Sequence, residues 1–207
     1  MKLIKILIFL YIFLFPPLTP RGYAESPTTR ILFLGDSLTD GYGVPKDKTY
    51  PALVLNKLRL QGKKVEVINA GISGSTTASG YKRLKWHLKQ PPNILVLALG
   101  ANDGLRGLKI EKSKENLRKV IVLAKKNGIK VLLAGMKMPT NYGKEYSKKF
   151  HQMFFDLAKE NNIALIPFLL EGVGGKPQMN QADGIHPNEE GHKVISDIVL
   201  RYLGELL

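Results

Sequence analysis

The chain has 207 residues, of which 44% are hydrophobic and 23% charged, a balance typical of one compact domain and not of a disordered chain. It contains no cysteine, which excludes disulfides, a thiol nucleophile, cysteine-ligated metal and a lipidated cysteine. Its formal net charge is +14, and such an excess favours contact with anionic lipid, polysaccharide or nucleic acid.

The first 24 residues have the pattern of a secretory signal peptide. Lys2 and Lys5 precede an apolar run over residues 6–15, and prolines and small residues follow. The run is short for a membrane span and is followed by two prolines, so we expect cleavage after Ala24, with an uncleaved anchor as the alternative. The sequence therefore predicts a secreted or periplasmic protein with one domain over residues 25–207.

Apolar runs of strand length then alternate with longer segments of helical period. The runs are "RILFLG", "VEVINAG", "NILVLALG", "KVLLAGM" and "IALIPF", and the helical segments between them cover residues 51–61, 78–89, 111–127 and 143–161. A final helix is predicted in "NEEGHKVISDIVLRYL", with Pro187 suited to its first turn. This alternation predicts an α/β fold, a single-domain three-layer α/β/α sandwich on a five-stranded parallel sheet. Because the runs are almost unbroken in hydrophobicity, we expect all five strands to be buried on both faces.

Four polar segments follow these strands, at the edge where parallel α/β sheets bind ligands. Ser37 follows the first strand, residues 71–77 the second, "GANDG" from Gly100 the third, and "DGIH" lies between the last strand and the last helix. The sequence therefore predicts one site at the carboxyl edge of the sheet.

A nucleophile and its base are present among these segments. A serine hydroxyl needs a neighbouring base to take its proton, and His186 is a candidate for that base. Asp183, three residues earlier in a turn, is near enough to orient the imidazole ring and stabilise its charged form. The alternative for Ser37 is a helix cap, which is the common role of serine at the start of a helix.

The other three histidines lie in predicted helices. His87 and His151 are expected to be packed or partly exposed within their helices, and His192 is expected at the surface of the last helix. None of them follows a strand, so none is predicted to act as the base.

An oxyanion hole needs hydrogen-bond donors fixed where a carbonyl oxygen becomes negative. The N–H of Ser37, the N–H of Gly74 and the side-chain amide of Asn102 are the candidates. The alternatives are ordinary turn residues, since Gly71, Gly74 and Asn102 are all of types that favour turns.

Two further aspartates raise the alternative of a metal site. Asp36 and Asp103, with Asp183 and His186, could hold a hard divalent cation and would then indicate a phosphoesterase. That hypothesis leaves Ser37, Gly74 and Asn102 without a role, so we expect no metal and no cofactor. Asp36 and Asp103 are instead expected to hold the loops through backbone hydrogen bonds.

Four motifs in order resemble the signature blocks of the SGNH, or GDSL, hydrolases. They are "GDSL" at 35–38, the glycine of "ISGSTT", "GAND" at 100–103 and "DGIHP" at 183–187. The resemblance covers almost the whole predicted domain, and "GANDGLRG", "MPTNYGKEY" and "DGIHPNEEGH" are most similar to the exported thioesterase I, arylesterase and lysophospholipase L1 group. Ser75 and Ala101 depart from the residues common there, an aspartate and a glycine.

The resemblance implies a flavodoxin-like fold and a serine esterase that needs no cofactor. It implies Ser37 as nucleophile, His186 as general base and Asp183 as its partner. Ser37, Gly74 and Asn102 would form the oxyanion hole. The implied reaction is hydrolysis of an ester or thioester through an acyl-enzyme. The alternatives are a carbohydrate O-acetylesterase and a non-catalytic exported lipid- or carbohydrate-binding module.

The loops after the third and fourth strands supply candidates for substrate contact. Leu105, Met138, Pro139 and Tyr142 could form an apolar groove for a lipid-like or aryl ester, or could be ordinary loop packing.

The lysines are scattered over several segments and no nucleic-acid-binding module is present. Loss of Lys2, Lys5 and Arg21 with the signal lowers the net charge from +14 to +11. We therefore expect a monomer with a small ester substrate, peripheral contact with anionic membrane surfaces and no nucleic-acid partner.

Overall fold

A computed structural model describes residues 28–207, and the predicted signal peptide lies outside the described residues. Within 28–207 no helix is both long enough and apolar enough to cross a bilayer.

A five-stranded parallel sheet forms the centre of the domain, as predicted. The strand order is β2-β1-β3-β4-β5, so the chain crosses from β2 over β1 to β3 and then proceeds outward. The strands are β1 (Thr29–Gly35), β2 (Val65–Gly71), β3 (Ile94–Ala98), β4 (Lys130–Ala134) and β5 (Ala164–Ile166).

Burial differs between the central strands and the edge strands. Every residue of β3 is buried, and β1 is buried from Ile31 to Gly35. The prediction that all five strands are buried on both faces is wrong for β2, where only Val65 is buried, and for most of β5. Both lie at an edge of the sheet, where one neighbouring strand is missing.

Helices cover both faces of the sheet. They are α1 (Ser37–Asp40), α2 (Tyr50–Leu60), α3 (Gly80–His87), α4 (Ala101–Leu105), α5 (Ile110–Lys126), α6 (Lys144–Asn161) and α7 (Glu189–Leu203). Helix α3 packs against α5 and α5 against α6, whereas α2 packs against α7. With right-handed crossovers this arrangement gives the three layers expected from the sequence.

The last helix begins one residue later than the sequence pattern indicates. Asn188 is its N-cap, because the side-chain Oδ1 accepts a hydrogen bond from the N–H of Gly191 at 3.0 Å. Pro187 therefore precedes the cap. The sequence pattern had placed it in the first turn, and that prediction is wrong.

His192 is buried, which corrects the expectation of a surface residue. Only 1% of it is exposed, because α7 turns this face toward α2. Its Nδ1 accepts a hydrogen bond from the backbone N–H of Tyr50 at 3.2 Å, and the two rings stack. Burial lowers the pKa of His192 to about 4, so the ring is neutral at pH 7 and acts as an acceptor.

Two glycines allow α1 to lie directly on the carboxyl edge of the sheet. A Cβ at Gly35 would overlap the side chain of Thr39, and a Cβ at Gly71 would overlap the backbone of Asp40. Thr39 is itself fixed by a buried hydrogen bond of 2.7 Å between its Oγ1 and the hydroxyl of Tyr50. The first helix can therefore approach β1 and β2 this closely only because both strands end in glycine.

We predict that Gly71→Ala destabilises the domain, since the new methyl group meets backbone that cannot move independently. We expect a loss of about 1–3 kcal/mol in the free energy of unfolding, measured by urea denaturation. Gly204→Ala is the control, because its Cβ would meet open space, and it should change stability by less than about 0.5 kcal/mol. Equal stabilities for the two variants would contradict the close packing of α1.

Candidate active site

Ser37 is the first residue of α1, and only Asp36 separates it from the end of β1. Asp36 caps the helix through its Oδ1, which accepts a hydrogen bond from the N–H of Leu38 at 3.0 Å. Gly41 closes the helix with a left-handed φ of 77°, and its N–H donates to the carbonyl of Ser37. The cap predicted as the alternative role of Ser37 is thus taken by Asp36, which leaves the serine hydroxyl available.

The serine hydroxyl contacts His186, and His186 contacts Asp183. Ser37 Oγ lies 3.0 Å from His186 Nε2, and His186 Nδ1 lies 2.6 Å from Asp183 Oδ2. This chain of contacts joins residues 149 positions apart in the sequence. It has the geometry in which an imidazole can accept a proton from a serine while a carboxylate orients the ring.

Asp183 is held in its charged form by its own turn. Its Oδ1 accepts hydrogen bonds from the backbone N–H groups of His186 and Ile185, at 3.0 and 2.9 Å. These bonds and the side-chain bond from His186 lower the pKa of Asp183 to about 2. The carboxylate is therefore ionised throughout the neutral range and can stabilise an imidazolium at its side.

The three candidate oxyanion-hole donors each retain a free N–H. Within residues 28–207, the backbone N–H groups of Ser37 and Gly74 donate to no other group. Gly74 lies in a turn closed by the N–H of Ser75 and the carbonyl of Ile72, and its φ of 76° suits glycine at that position. Asn102 uses one amide hydrogen to bond the carbonyl of Ser75 at 3.1 Å, which leaves the other for a ligand. Asn102 itself lies in α4, not in a simple turn.

Asp103 ties the loop of Gly74 to the neighbouring helix. The backbone N–H and hydroxyl of Thr77 donate to its carboxylate at 2.9 and 2.6 Å, and the hydroxyl of Ser113 donates at 2.9 Å. The carboxylate is buried, so all of these bonds form away from solvent. Asp103 therefore holds a loop, as the sequence had indicated.

Asp36 is also buried, and burial raises its pKa to about 6. The N–H of Leu38 and the nearby charges of His186 and Arg83 oppose that rise.

The metal alternative needs Asp36, Asp103, Asp183 and His186 around one ion. Within the described part of the chain, no three or more histidine or acidic side chains form a group able to hold a metal.

Three residues that sequence reasoning missed support these loops. Arg83 donates to the carbonyls of Gly35, at 2.8 Å, and of Ala70, near the ends of β1 and β2. The ring of Tyr42 packs on the ring of His186 with centroids 4.7 Å apart. Gln181 is the third. A basic residue in α3 and an exposed tyrosine give no signal of such roles in the sequence.

Gln181 bridges the segment that follows α1 and the loop that carries His186. Its side-chain N–H₂ donates to the carbonyls of Tyr42 and Pro187, at 2.6 and 3.1 Å. Its backbone N–H donates to the carbonyl of His186 at 2.8 Å. A Cβ at Gly43 would overlap the amide, so the two loops meet closely around it. One side chain thus fixes the spacing between the segments that carry Ser37 and His186.

A mostly apolar cleft of about 590 Å³ opens beside the serine. Its walls include three of the four predicted substrate-contact residues, Leu105, Met138 and Pro139. Tyr142 is not among the residues that line the cleft. It is 38% exposed at the end of a 3₁₀ turn, and its backbone N–H donates to the carbonyl of Pro139. The remaining lining residues are Ser37, Leu38, Ala101, Asn102, Met136, Lys137, Phe168, Leu170, Gly174, Gly175, Asn180, Gly184, Ile185 and His186.

Comparison with known proteins identifies relatives over most of the chain. The model of the GDSL-like lipase/acylhydrolase family matches residues 33–194. An arylesterase from Vibrio mimicus is 40% identical over 181 residues, covering 87% of this chain and 90% of the relative. The thioesterase 1/protease 1/lysophospholipase L1 of Escherichia coli strain K12 is 39% identical over 178 residues, covering 86% and 84%. The crystal structure of TesA superposes with a TM-score of 0.84 at 38% identity, covering 86% of this chain and all of that one.

The fold and these relatives define a hydrolase of three-layer α/β/α architecture that acts on ester bonds. The chain belongs to the GDSL-like lipase/acylhydrolase family.

We predict that Gln181→Ala lowers kcat for a p-nitrophenyl ester about 10- to 100-fold, because the spacing of Ser37 and His186 is no longer fixed. KM should change by less than about twofold, because Gln181 does not line the cleft. The control is Gln178→Ala, an exposed glutamine of the same loop whose side chain bonds nothing among the described residues. Equal losses in both variants, or a loss confined to KM, would contradict the bridging role.

Proposed function

We propose that Ser37 is the nucleophile of this esterase, with His186 as general base and Asp183 as its orienting partner. The hydrogen-bonded chain from Ser37 Oγ to Asp183 Oδ2 carries this proposal. His186 Nε2 takes the hydroxyl proton as Ser37 Oγ attacks the ester carbonyl, and a tetrahedral oxyanion forms. His186 then gives that proton to the departing alkoxide or thiolate, and the acyl group stays on Ser37.

Water completes the cycle by the reverse sequence. His186 takes a proton from a water molecule, the resulting hydroxide attacks the acyl-enzyme, and Ser37 leaves with the proton returned by His186. Asp183 stabilises the imidazolium in both halves, and its low pKa keeps it ionised while His186 is charged.

We propose that the oxyanion is bound by the N–H groups of Ser37 and Gly74 and by the amide of Asn102. Support comes from the unused N–H at each residue and from the bond between Asn102 and the carbonyl of Ser75, which joins two of the three loops. Such donors stabilise the transition state because they are fixed before charge develops.

We predict that Ser37→Ala lowers kcat by about 10⁴-fold or more, because the acyl-enzyme can no longer form. The same variant should no longer be labelled by a fluorophosphonate probe, which reacts with an activated serine. Ser73→Ala, in the neighbouring loop, is the control and should label like the wild type. The proposal is wrong if the unaltered enzyme takes up no probe, or if Ser37→Ala is labelled as strongly.

We propose that the substrate is a lipid-like or aryl ester or thioester with an apolar acyl group. The cleft beside Ser37 supports this proposal, because Leu105, Met138 and Pro139 line it together with further apolar side chains. Tyr142 has no part in it. Relatives named arylesterase, thioesterase and lysophospholipase also support this class of substrate.

We predict that kcat/KM for p-nitrophenyl esters rises from acetate to medium-length acyl chains, as more of the chain is buried in the cleft. Leu105→Ser should lower kcat/KM for the longer esters about tenfold and leave acetate within about twofold. Tyr142→Ala is the control and should change neither, because Tyr142 lies outside the cleft. Activity confined to acetate would favour the O-acetylesterase alternative.

We further propose that the protein is exported, acts as a monomer and meets anionic membrane surfaces from outside. Residues 1–24 have the pattern of a signal peptide. One chain supplies every residue of the proposed site. The net charge of +11 that remains after loss of Lys2, Lys5 and Arg21 supports attraction to anionic lipid.

A further inference from the structure

Helix α3 presents a basic and aromatic face on a side of the domain that the ester-hydrolysing site does not use. Its exposed residues are Tyr81, Lys82, Lys85 and Trp86, with Lys89 two positions beyond its end. At 100° per residue these five side chains fall within about 140° of the helix circumference. We call this set the α3 face.

The orientation of the α3 face is fixed by packing on the opposite side of the helix. Leu84 is fully buried, and a Cβ at Gly80 would contact Val120 of α5 and Leu99. Arg83, the remaining long cation of α3, turns inward to the carbonyls of Gly35 and Ala70. The lysines and aromatic rings of the α3 face therefore cannot rotate into the core.

The lysines of the α3 face have no anionic partner, unlike about half of the other lysines and arginines in the described α-helices. Within residues 28–207, Lys82, Lys85 and Lys89 take part in no ion pair. No acidic residue occurs in the sequence between Glu66 and Asp103. By contrast, acidic side chains pair with the following cations of α5, α6 and α7: Lys112, Lys114, Arg118, Lys119, Lys149 and Lys193.

Two large aromatic residues lie among these unpaired charges. Trp86 is 64% exposed and Tyr81 is 41% exposed. Tryptophan and tyrosine favour the boundary between lipid headgroups and acyl chains, where the ring is buried and the polar atom stays hydrated. Lysine stems add apolar contact there while their ammonium groups reach the phosphates.

We propose that the α3 face is the surface by which this esterase docks on anionic phospholipid membranes. The ammonium group of each lysine is attracted to the anionic headgroups, and Trp86 and Tyr81 insert at the headgroup level. Helix α3 begins six residues after Gly74 in the chain and contributes no residue to the lining of the cleft. The inference rests on the proposed membrane contact and is independent of the proposed chemistry at Ser37.

The experiment uses the exported protein and vesicles of phosphatidylglycerol mixed with phosphatidylcholine. Trp86 is the only tryptophan of the chain, so tryptophan emission reports on the α3 face alone, whether or not the signal segment is still attached. We expect a blue shift of this emission, quenching by brominated acyl chains, and loss of both effects at high salt. Vesicles of pure phosphatidylcholine should produce neither.

Charge reversal locates the surface. The triple variant Lys82→Glu, Lys85→Glu, Lys89→Glu should bind anionic vesicles at least about 100-fold more weakly in co-sedimentation. The control triple Lys63→Glu, Lys126→Glu, Lys148→Glu has the same net charge but alters exposed lysines elsewhere, and it should lose much less. Trp86→Ala should weaken binding without changing its dependence on salt. All variants should keep wild-type hydrolysis of soluble p-nitrophenyl acetate, which separates this test from that of Ser37.

Three results would overturn the proposal. They are unchanged Trp86 emission with anionic vesicles, equal binding to neutral vesicles, and equal losses in the two triple variants. If vesicles leave Trp86 unchanged and the α3 triple variant instead loses binding to duplex DNA, the α3 face is a nucleic-acid surface and not a membrane surface.

Discussion

The contact between α1 and the carboxyl edge of the sheet is the constraint on which the site depends. Gly35 and Gly71 end two adjacent strands without side chains, so the Thr39 side chain of α1 lies directly against the first and the backbone of Asp40 against the second. Thr39 is then locked to Tyr50, and Tyr50 to His192 of the last helix. The position of Ser37 is therefore set by packing between the first strand, the edge strand and the last helix of the domain.

The packing of α1 on the sheet fixes the position of Ser37. Hydrogen bonds then hold the loop of Gly74 and the loop of His186 near it. Asp103 draws the loop of Gly74 toward α5 through Thr77 and Ser113. Gln181 joins the histidine loop to the segment that follows α1. These hydrogen bonds between loops thus supply the preorganisation that ester hydrolysis requires, while the cleft walls remain largely apolar.

The sequence predicted the parts of the structure that depend on local pattern. Strand hydrophobicity, helical period and the positions of polar residues after strands follow from short-range chemistry, so the sheet and the grouping of Ser37 with His186 were accessible. The prediction that His192 is exposed was wrong because its side of α7 is buried against α2, and the helical period of α7 does not reveal where α2 lies. The bridge made by Gln181 was invisible, since it joins carbonyl groups of distant segments and leaves no pattern in side-chain type.

The separation of Ser37 and His186 along the chain also has a consequence for synthesis. The first strand and the serine emerge early from the ribosome, whereas the turn of Asp183 and the helix that buries His192 come last. On the proposed mechanism, Ser37 has no base until those final residues fold against α2, and its hydroxyl is then no more reactive than that of any other serine. The same mechanism implies that a nascent or truncated chain carries Ser37 in an inert form and that esterase activity begins only when the whole domain has closed.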